Sequence, residues 1–72
     1  MMKKGRMWMR VNGVEIALNG TCTLKEFLEQ QGYVIERIAV EKNGRIISKT
    51  LYETEFLKED DVLEIVSFVG GG

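Results

Sequence analysis

MWMRVNGVEIALNGTCTLKEFLEQQG, the stretch from residue 7 to residue 32, contains two predicted strands and one predicted helix in direct succession. Apolar and polar side chains alternate on both sides of Asn12-Gly13, and such alternation is typical of half-buried strands. Asn-Gly between two alternating runs is the strongest short signal for a hairpin, because both residues tolerate a positive φ. Residues 7–18 therefore predict a β-hairpin.

The helix is predicted from Thr23 to Gln31. Thr23 and Glu26 have the spacing of a capping box, in which a hydroxyl and a carboxylate each satisfy a backbone amide at the start of a helix. Gly32 follows at the position where a left-handed backbone conformation ends many helices. The apolar side chains within the helix fall on one face, which a sheet would have to cover; they are Leu24, Phe27 and Leu28.

Three more strands are predicted downstream, at residues 37–41, 45–48 and 62–68, with a turn at Asn43-Gly44 between the first two. Residues 62–68 are nearly all apolar, which favours a central position in the sheet. The order strand, strand, helix, strand, strand, strand predicts an α+β fold of the β-grasp type, with a five-stranded mixed sheet and one helix on one face. The predicted core consists of Met9, Val11, Ile16, Leu24, Phe27, Leu28, Ile38, Val40, Leu63 and Ile65.

The segment before the last strand is polar, and we expect it to be irregular. Residues 58–61, KEDD, are predicted to form a solvated turn, and a metal site there is disfavoured because the spacing of calcium-binding loops is missing. Four side chains are expected to anchor this segment to the core; they are Leu51, Tyr52, Phe56 and Leu57.

Composition excludes several classes of function. The 72 residues suffice for one domain, and 10 basic residues against 11 acidic ones give no attraction to nucleic acid or to an anionic membrane. The sequence has no histidine and one cysteine, so histidine acid–base chemistry, a zinc site and a disulfide framework are not expected. A lone thiol suits a reducing compartment, and we expect the cytoplasm.

Gly70, Gly71 and Gly72 are the candidate functional residues. Three glycines in a row also occur at frayed ends and in cut linkers, so the motif is weak by itself. A glycine run is nevertheless slender enough to enter a narrow active site and bring a terminal carboxylate to a reacting atom. We expect a loose extension at residues 1–6, the β-grasp domain at residues 7–69 and a flexible glycine tail at residues 70–72.

The C-terminal stretch EDDVLEIVSFVGGG, residues 59–72, together with Val11-Asn12-Gly13, carries a family resemblance. An acidic turn, an apolar strand and a Phe-Val-Gly-Gly-Gly ending resemble the bacterial sulfur carriers of thiamine biosynthesis (ThiS), which have a ubiquitin-like β-grasp fold. The resemblance covers residues 8–72. The glycine ending is shared with the molybdopterin sulfur carriers and with ubiquitin-like modifiers, so it indicates the superfamily better than the pathway.

The resemblance implies a carrier and not an enzyme. An E1-like adenylyltransferase would use ATP to adenylate Gly72, sulfur from a cysteine desulfurase would convert it to a thiocarboxylate (1-thioglycine), and a thiazole synthase would accept the sulfur. Gly70 and Gly71 would thread into the partner, and no cofactor would stay bound. Two alternatives remain open, a molybdopterin-type sulfur carrier and a ubiquitin-like binding module with a chemically idle tail. A replacement of oxygen by sulfur at the C-terminus would distinguish a carrier from the module.

Two further hypotheses concern side chains. Glu64, Val66 and Phe68 should point to the sheet face that the helix leaves uncovered, where they would dock a partner. The acidic side chains nearby would add electrostatic steering; they are Glu59, Asp60, Asp61 and Glu64. The alternative is that the irregular segment before the last strand, or a dimer, covers this face. Cys22 lies before the helix, where the helix N-terminus can lower a thiol pKa. We interpret Cys22 as a small structural residue in the turn, because no base accompanies it in the sequence.

Overall fold

The structure is a computed structural model that describes residues 7–18 and 20–68. The predictions for residues 1–6 and for the glycine tail lie outside the described residues. Within them, five strands and one helix follow in the predicted order: β1 (Met7–Val11), β2 (Val14–Leu18), α1 (Leu24–Gln30), β3 (Ile38–Lys42), β4 (Arg45–Ile47) and β5 (Val62–Ser67). Two 3₁₀ turns, Ile35–Arg37 and Lys49–Leu51, were not anticipated from the sequence.

The strands form one sheet in the order β2-β1-β5-β3-β4. β5 is central, as its apolar sequence predicted; it runs parallel to β1 and antiparallel to β3. The mixed five-stranded sheet with a single α-helix confirms the predicted β-grasp fold. Among the described residues, no helix is long and apolar enough to cross a membrane.

The two hairpins turn at the Asn-Gly pairs. Asn12 and Asn43 have φ values of 50° and 55°, and the glycines that follow them have φ values of 84° and 85°. Positive φ at both central residues is the requirement of a type I′ turn, whose twist matches that of the flanking strands. The local sequence therefore determines both hairpins.

Helix α1 is one residue shorter at each end than predicted, because Thr23 is its N-cap, with a capping box to Glu26, and Gln31 is its C-cap. At the other end, Gly32 has a φ of 86°, and the Tyr33 amide donates to the Leu28 carbonyl at 3.0 Å. This is the hydrogen bond of a Schellman motif. The apolar stripe of α1 packs on one face of the sheet, which we call the inner face, in a cluster with Leu63 and Ile65.

The core matches the prediction with three corrections. Ile16 is half-buried, because β2 is an edge strand that the helix covers incompletely. Leu51 and Phe56 are exposed, at 47% and 53%, so they do not anchor the polar segment. Tyr52 and Leu57 do anchor it, because both side chains are buried in the core cluster.

Candidate functional site

β5 divides its side chains between the two faces of the sheet. Leu63 and Ile65 face the helix and are buried, whereas Val62, Glu64 and Val66 are exposed. We call the face that bears these exposed side chains the outer face. It is not covered by any other helix or strand of the described residues.

An apolar patch crosses the outer face from β5 to the edge of the sheet. Ala39 on β3 lies directly opposite Val66 on β5, and Ile46 on β4 lies opposite Glu41 on β3. Ile46 is 76% exposed and Val66 is 58% exposed. Exposure of these apolar side chains to water does not stabilise the free domain, and an exposed apolar patch of this kind often marks an interaction site. We call Ala39, Ile46 and Val66 the outer patch.

The sequence predicted Val66 and Glu64 at this surface, and the structure places both there. It adds Ile46 and Glu41, which the sequence analysis missed. The alternation of residues 45–47 could have revealed Ile46, since one member of the pair Ile46-Ile47 must point away from the core. Which strand lies beside Val66 could not be read from that alternation.

Phe68 lies at the point where the described chain leaves the sheet. Strand β5 ends at Ser67, one residue before the predicted end, and the Phe68 side chain is 48% exposed. The Phe68 amide donates to the Arg37 carbonyl at 2.6 Å, and the Lys49 ammonium lies 5.9 Å from the centre of the Phe68 ring. The hydrogen bond attaches the end of the central strand to the Arg37 carbonyl, and the Lys49 ammonium lies over the exposed ring of Phe68.

Gly70, Gly71 and Gly72 lie outside the described residues, and their assignment as tail residues stays a prediction. What the structure contributes is the position of the last described residue, Phe68, at the end of the central strand.

The acidic turn before β5 differs from the prediction. Asp61 is buried, with 4% of its surface exposed, so residues 58–61 are not a fully solvated turn. Its carboxylate accepts from the Lys58 amide at 2.7 Å and from the Asn43 side-chain amide at 3.0 Å, and it lies 3.8 Å from the Lys42 ammonium. The Asp61 carboxylate is thus committed to the fold and is not available for steering.

The ammonium group of Lys42 compensates the negative charge of the buried Asp61 carboxylate. The Lys42 side chain is 9% exposed and donates to the Glu55 carboxylate at 2.5 Å and to the Phe56 carbonyl at 3.3 Å. A buried charge is tolerated when it is paired and hydrogen-bonded. Because Lys42 also approaches Asp61, it ties the polar segment to β3. Within the described residues, no group of three acidic or cysteine side chains is arranged to hold a metal ion.

Cys22 is half-buried just before α1. Burial, with a further contribution from the negative charge of Glu26, raises the pKa of the Cys22 thiol above its ordinary value of 9.0. The helix N-terminus does not produce the lowered thiol pKa that the sequence position allowed. At neutral pH the thiol stays protonated, and the Cys22 carbonyl has a structural role because it accepts from the Leu57 amide at 3.0 Å.

A second concave surface lies on the helix side of the sheet, where an open groove of about 720 Å³ runs beside α1. Some of the charged side chains that line this groove form ion pairs with one another. Lys25 donates to the Glu53 carboxylate at 2.9 Å, and this hydrogen bond is the main reason that the pKa of Lys25 is raised. Tyr33 and Ile35 also line this groove, so it combines paired charges with apolar side chains.

Comparisons with known proteins agree with this geometry. The model of a family described as the ThiS family matches residues 9–72. The chain is 35% identical over 65 residues to the sulfur carrier protein ThiS of Bacillus subtilis, covering 89% of this chain and 98% of that protein. It resembles the crystal structure of a thiamine biosynthesis protein (ThiS) from Geobacter metallireducens with a TM-score of 0.77 and 28% identity, covering 92% of this chain and 100% of that one.

Much longer proteins also contain a similar stretch. The chain is 36% identical over 66 residues to a thiazole synthase of Magnetococcus marinus. The match covers 92% of this chain but only 20% of the synthase, so the chain spans about a fifth of the length of that relative.

Proposed function

Because this chain belongs to the ThiS family, we propose that it is a sulfur carrier of thiazole formation in thiamine biosynthesis whose reactive group is the carboxylate of Gly72. The observation that carries the proposal is the family match, which extends through the glycine ending to residue 72. The chain is a carrier and not an enzyme, in keeping with the name of its Bacillus relative.

The chemistry begins with activation of an inert group. A carboxylate is a poor electrophile until one of its oxygens attacks the α-phosphorus of ATP, releasing pyrophosphate and forming an acyl adenylate. We assign this step to an E1-like adenylyltransferase. The outer sulfur of a protein persulfide, which a cysteine desulfurase supplies, then attacks the acyl carbon and displaces AMP. A thiol cleaves the S–S bond of the resulting acyl disulfide, which converts the thiol to a disulfide and leaves a thiocarboxylate on Gly72. The chain contributes a slender terminus that can reach the phosphorus within a closed site, with Gly70 and Gly71 threading behind it.

Thiazole synthase is the proposed acceptor of the sulfur. Support comes from thiazole synthases that contain a stretch similar to this chain within one longer polypeptide. Covalent linkage of a carrier to its acceptor raises the effective concentration of one for the other, commonly to millimolar.

Docking is assigned to the outer face. Glu64 and Val66 lie there and Phe68 follows at the end of β5, so a partner seated on the outer patch would contact the strand that leads into the C-terminal residues. The raised pKa of the Cys22 thiol supports Gly72 over Cys22 as the sulfur-carrying position, because a protonated thiol is a poor nucleophile. A free thiol also suits the reducing cytoplasm, where we place the carrier.

The test uses the purified chain, the adenylyltransferase of the same host, ATP and a sulfur donor, with intact mass as the readout. We expect an adenylylated product and then a product in which sulfur replaces one oxygen at the C-terminus. Cys22→Ser should form both products, and deletion of Gly72 should abolish both. An inactive Cys22→Ser together with an active truncation would overturn the assignment of Gly72.

The docking surface is tested separately with Val66→Asp and Phe68→Asp, each checked for retained folding by circular dichroism. Both should weaken binding to the adenylyltransferase and slow adenylation. If folded variants are adenylated at the normal rate and affinity, the partner docks elsewhere.

A further inference from the structure

We propose that Glu41 and Glu64 together form a receptor for one basic side chain, preferably arginine, of the adenylyltransferase that docks on the outer patch. This inference rests on the proposed function, since it names the chemistry by which the docking surface recognises that partner. It goes further than a general apolar contact because it assigns a charged group to a particular place.

The first observation is the register of the sheet. Glu41 on β3 and Glu64 on β5 are directly opposite each other, and both side chains are exposed on the outer face. Like charges in directly opposed positions of neighbouring strands destabilise a sheet. The pair therefore works against the stability of the free domain.

The second observation is that no cation of the described residues offsets this repulsion. Among residues 7–18 and 20–68, no lysine or arginine forms an ion pair with either glutamate. Two nearby cations are engaged elsewhere. Arg10 on the outer face lies 3.8 Å from Glu15, and Lys42 points to the other side of the sheet, towards Glu55.

The third observation is a shallow cavity of about 110 Å³ at the glutamate pair. Glu41 and Glu64 both line it, together with the three apolar residues of the outer patch. A guanidinium is planar, offers five N–H donors and is weakly hydrated, so it suits a site with two carboxylates. Its aliphatic stem would pack on Ile46 and Val66. A lysine would fit less well, because its ammonium is more strongly hydrated.

Charge favours a different protein over a second copy of this chain. A two-fold pairing of outer faces would bring two glutamate pairs towards each other, whereas a partner surface with a basic residue would neutralise one pair. Two carboxylates alone also fall short of the six to eight oxygens that calcium takes.

The experiment measures the dissociation constant of the host adenylyltransferase for the wild-type chain and for Glu41→Gln, Glu64→Gln and the double variant. Glu36→Gln is the matched control, since it removes one exposed carboxylate from the opposite side of the sheet, beside the helix-side groove. Each single variant on the outer face should bind about 10-fold more weakly or worse. The control should bind within about two-fold of wild type, the range expected for a rim charge.

Stability should change in the opposite direction. Removing either charge relieves the repulsion, so the thermal midpoint of each single variant should rise by about 1–6 °C. The double variant should gain little more, because one substitution already removes the repulsion. A variant that is more stable yet binds more weakly cannot owe its defect to misfolding.

The alternatives give distinct results. If the double variant binds like Glu36→Gln while Phe68→Asp is impaired, the docking surface stands and the arginine receptor is wrong. If the wild-type chain dimerises in sedimentation and neutral variants dimerise more tightly, the face serves a second copy, which also overturns the inference. The proposed function fails independently, through intact masses that show no sulfur on Gly72.

Discussion

At the scale of single residues, Asn12 and Asn43 do two things at once. Each accepts the positive φ that its hairpin requires, and each also binds the central strand with its side chain. The Asn12 amide group donates to the Ile65 carbonyl at 3.2 Å and accepts from the Ile65 amide at 2.8 Å. The side-chain oxygen of Asn43, Oδ1, accepts from the Val62 amide at 2.9 Å. Both turns therefore hold β5 in register.

Replacing either asparagine by glycine tests this second role alone. Glycine keeps the positive φ without strain, so Asn12→Gly and Asn43→Gly remove the side-chain hydrogen bonds and add a smaller cost from the greater freedom of the unfolded chain. Each should lower the free energy of unfolding by about 1–3 kcal/mol, because partly buried backbone or side-chain groups lose their partners. Urea denaturation is the measurement. Midpoints equal to that of the wild type would mean that water replaces the asparagine side chains at no cost.

At the scale of the element, α1 is a helix of seven residues that could not persist alone. Its first amides all find acceptors. Glu26 N–H donates to the Thr23 hydroxyl at 3.1 Å, while the Leu24 and Lys25 amides donate to carbonyls of the polar segment at 2.7 and 2.9 Å. Residues 52–57 have an irregular backbone, but the helix depends on them because their carbonyls accept hydrogen bonds from its first amides.

The caps of α1 make a testable pair. Thr23→Ala should lower the free energy of unfolding by about 1 kcal/mol through loss of the N-cap. Thr21→Ala, at an exposed position before the helix, should change it little.

The C-terminal end of α1 is tested at Gly32. Gly32→Ala should lower the free energy of unfolding by about 1–2 kcal/mol from backbone strain alone, because an added Cβ would meet no atom within 4 Å. Gly32→Asn should recover part of that loss. Equal stability of the Ala and Asn variants would contradict a cost that arises from φ.

At the scale of the whole molecule, one core joins the helix, the inner face of the sheet and two anchors of the polar segment. A domain of 72 residues buries limited apolar surface, so its net stability is expected to be only about 3–5 kcal/mol. The loss of one core contact is then a large fraction of the total. The outer patch contributes nothing to this core, which is consistent with a role in binding.

Two adjacent residues of β5 test this division. Leu63 is fully buried on the inner face, and Val62 is 40% exposed on the outer face. Leu63→Ala should lower the free energy of unfolding by about 2–5 kcal/mol and unfold a large part of the population. Val62→Ala should change it by about 0.5 kcal/mol or less, as at other surface positions. Similar denaturation midpoints for the two variants would contradict the assignment of the faces.

The sequence by itself determined the elements and their order. The Asn-Gly turns, the capping box of Thr23 and Glu26 and the alternation in β5 all depend on interactions between residues at most a few positions apart. Such interactions depend on local sequence alone, so the hairpins, the helix and the inward residues of β5 could be predicted. The family resemblance came from the C-terminal stretch for the same reason.

Only the tertiary structure decided which distant residues meet. Asp61 is buried because Lys42 and Asn43 reach it from β3 and the following turn, and Glu41 faces Glu64 because β3 pairs with β5. Asn12 contacts Ile65 across 53 positions of sequence. From a local sequence pattern, a charged or polar side chain is predicted to be exposed to solvent. Its interaction partner is known only once the register of the sheet shows which strands lie side by side. The physical reason is that register is set by packing over the whole sheet, which no short stretch contains.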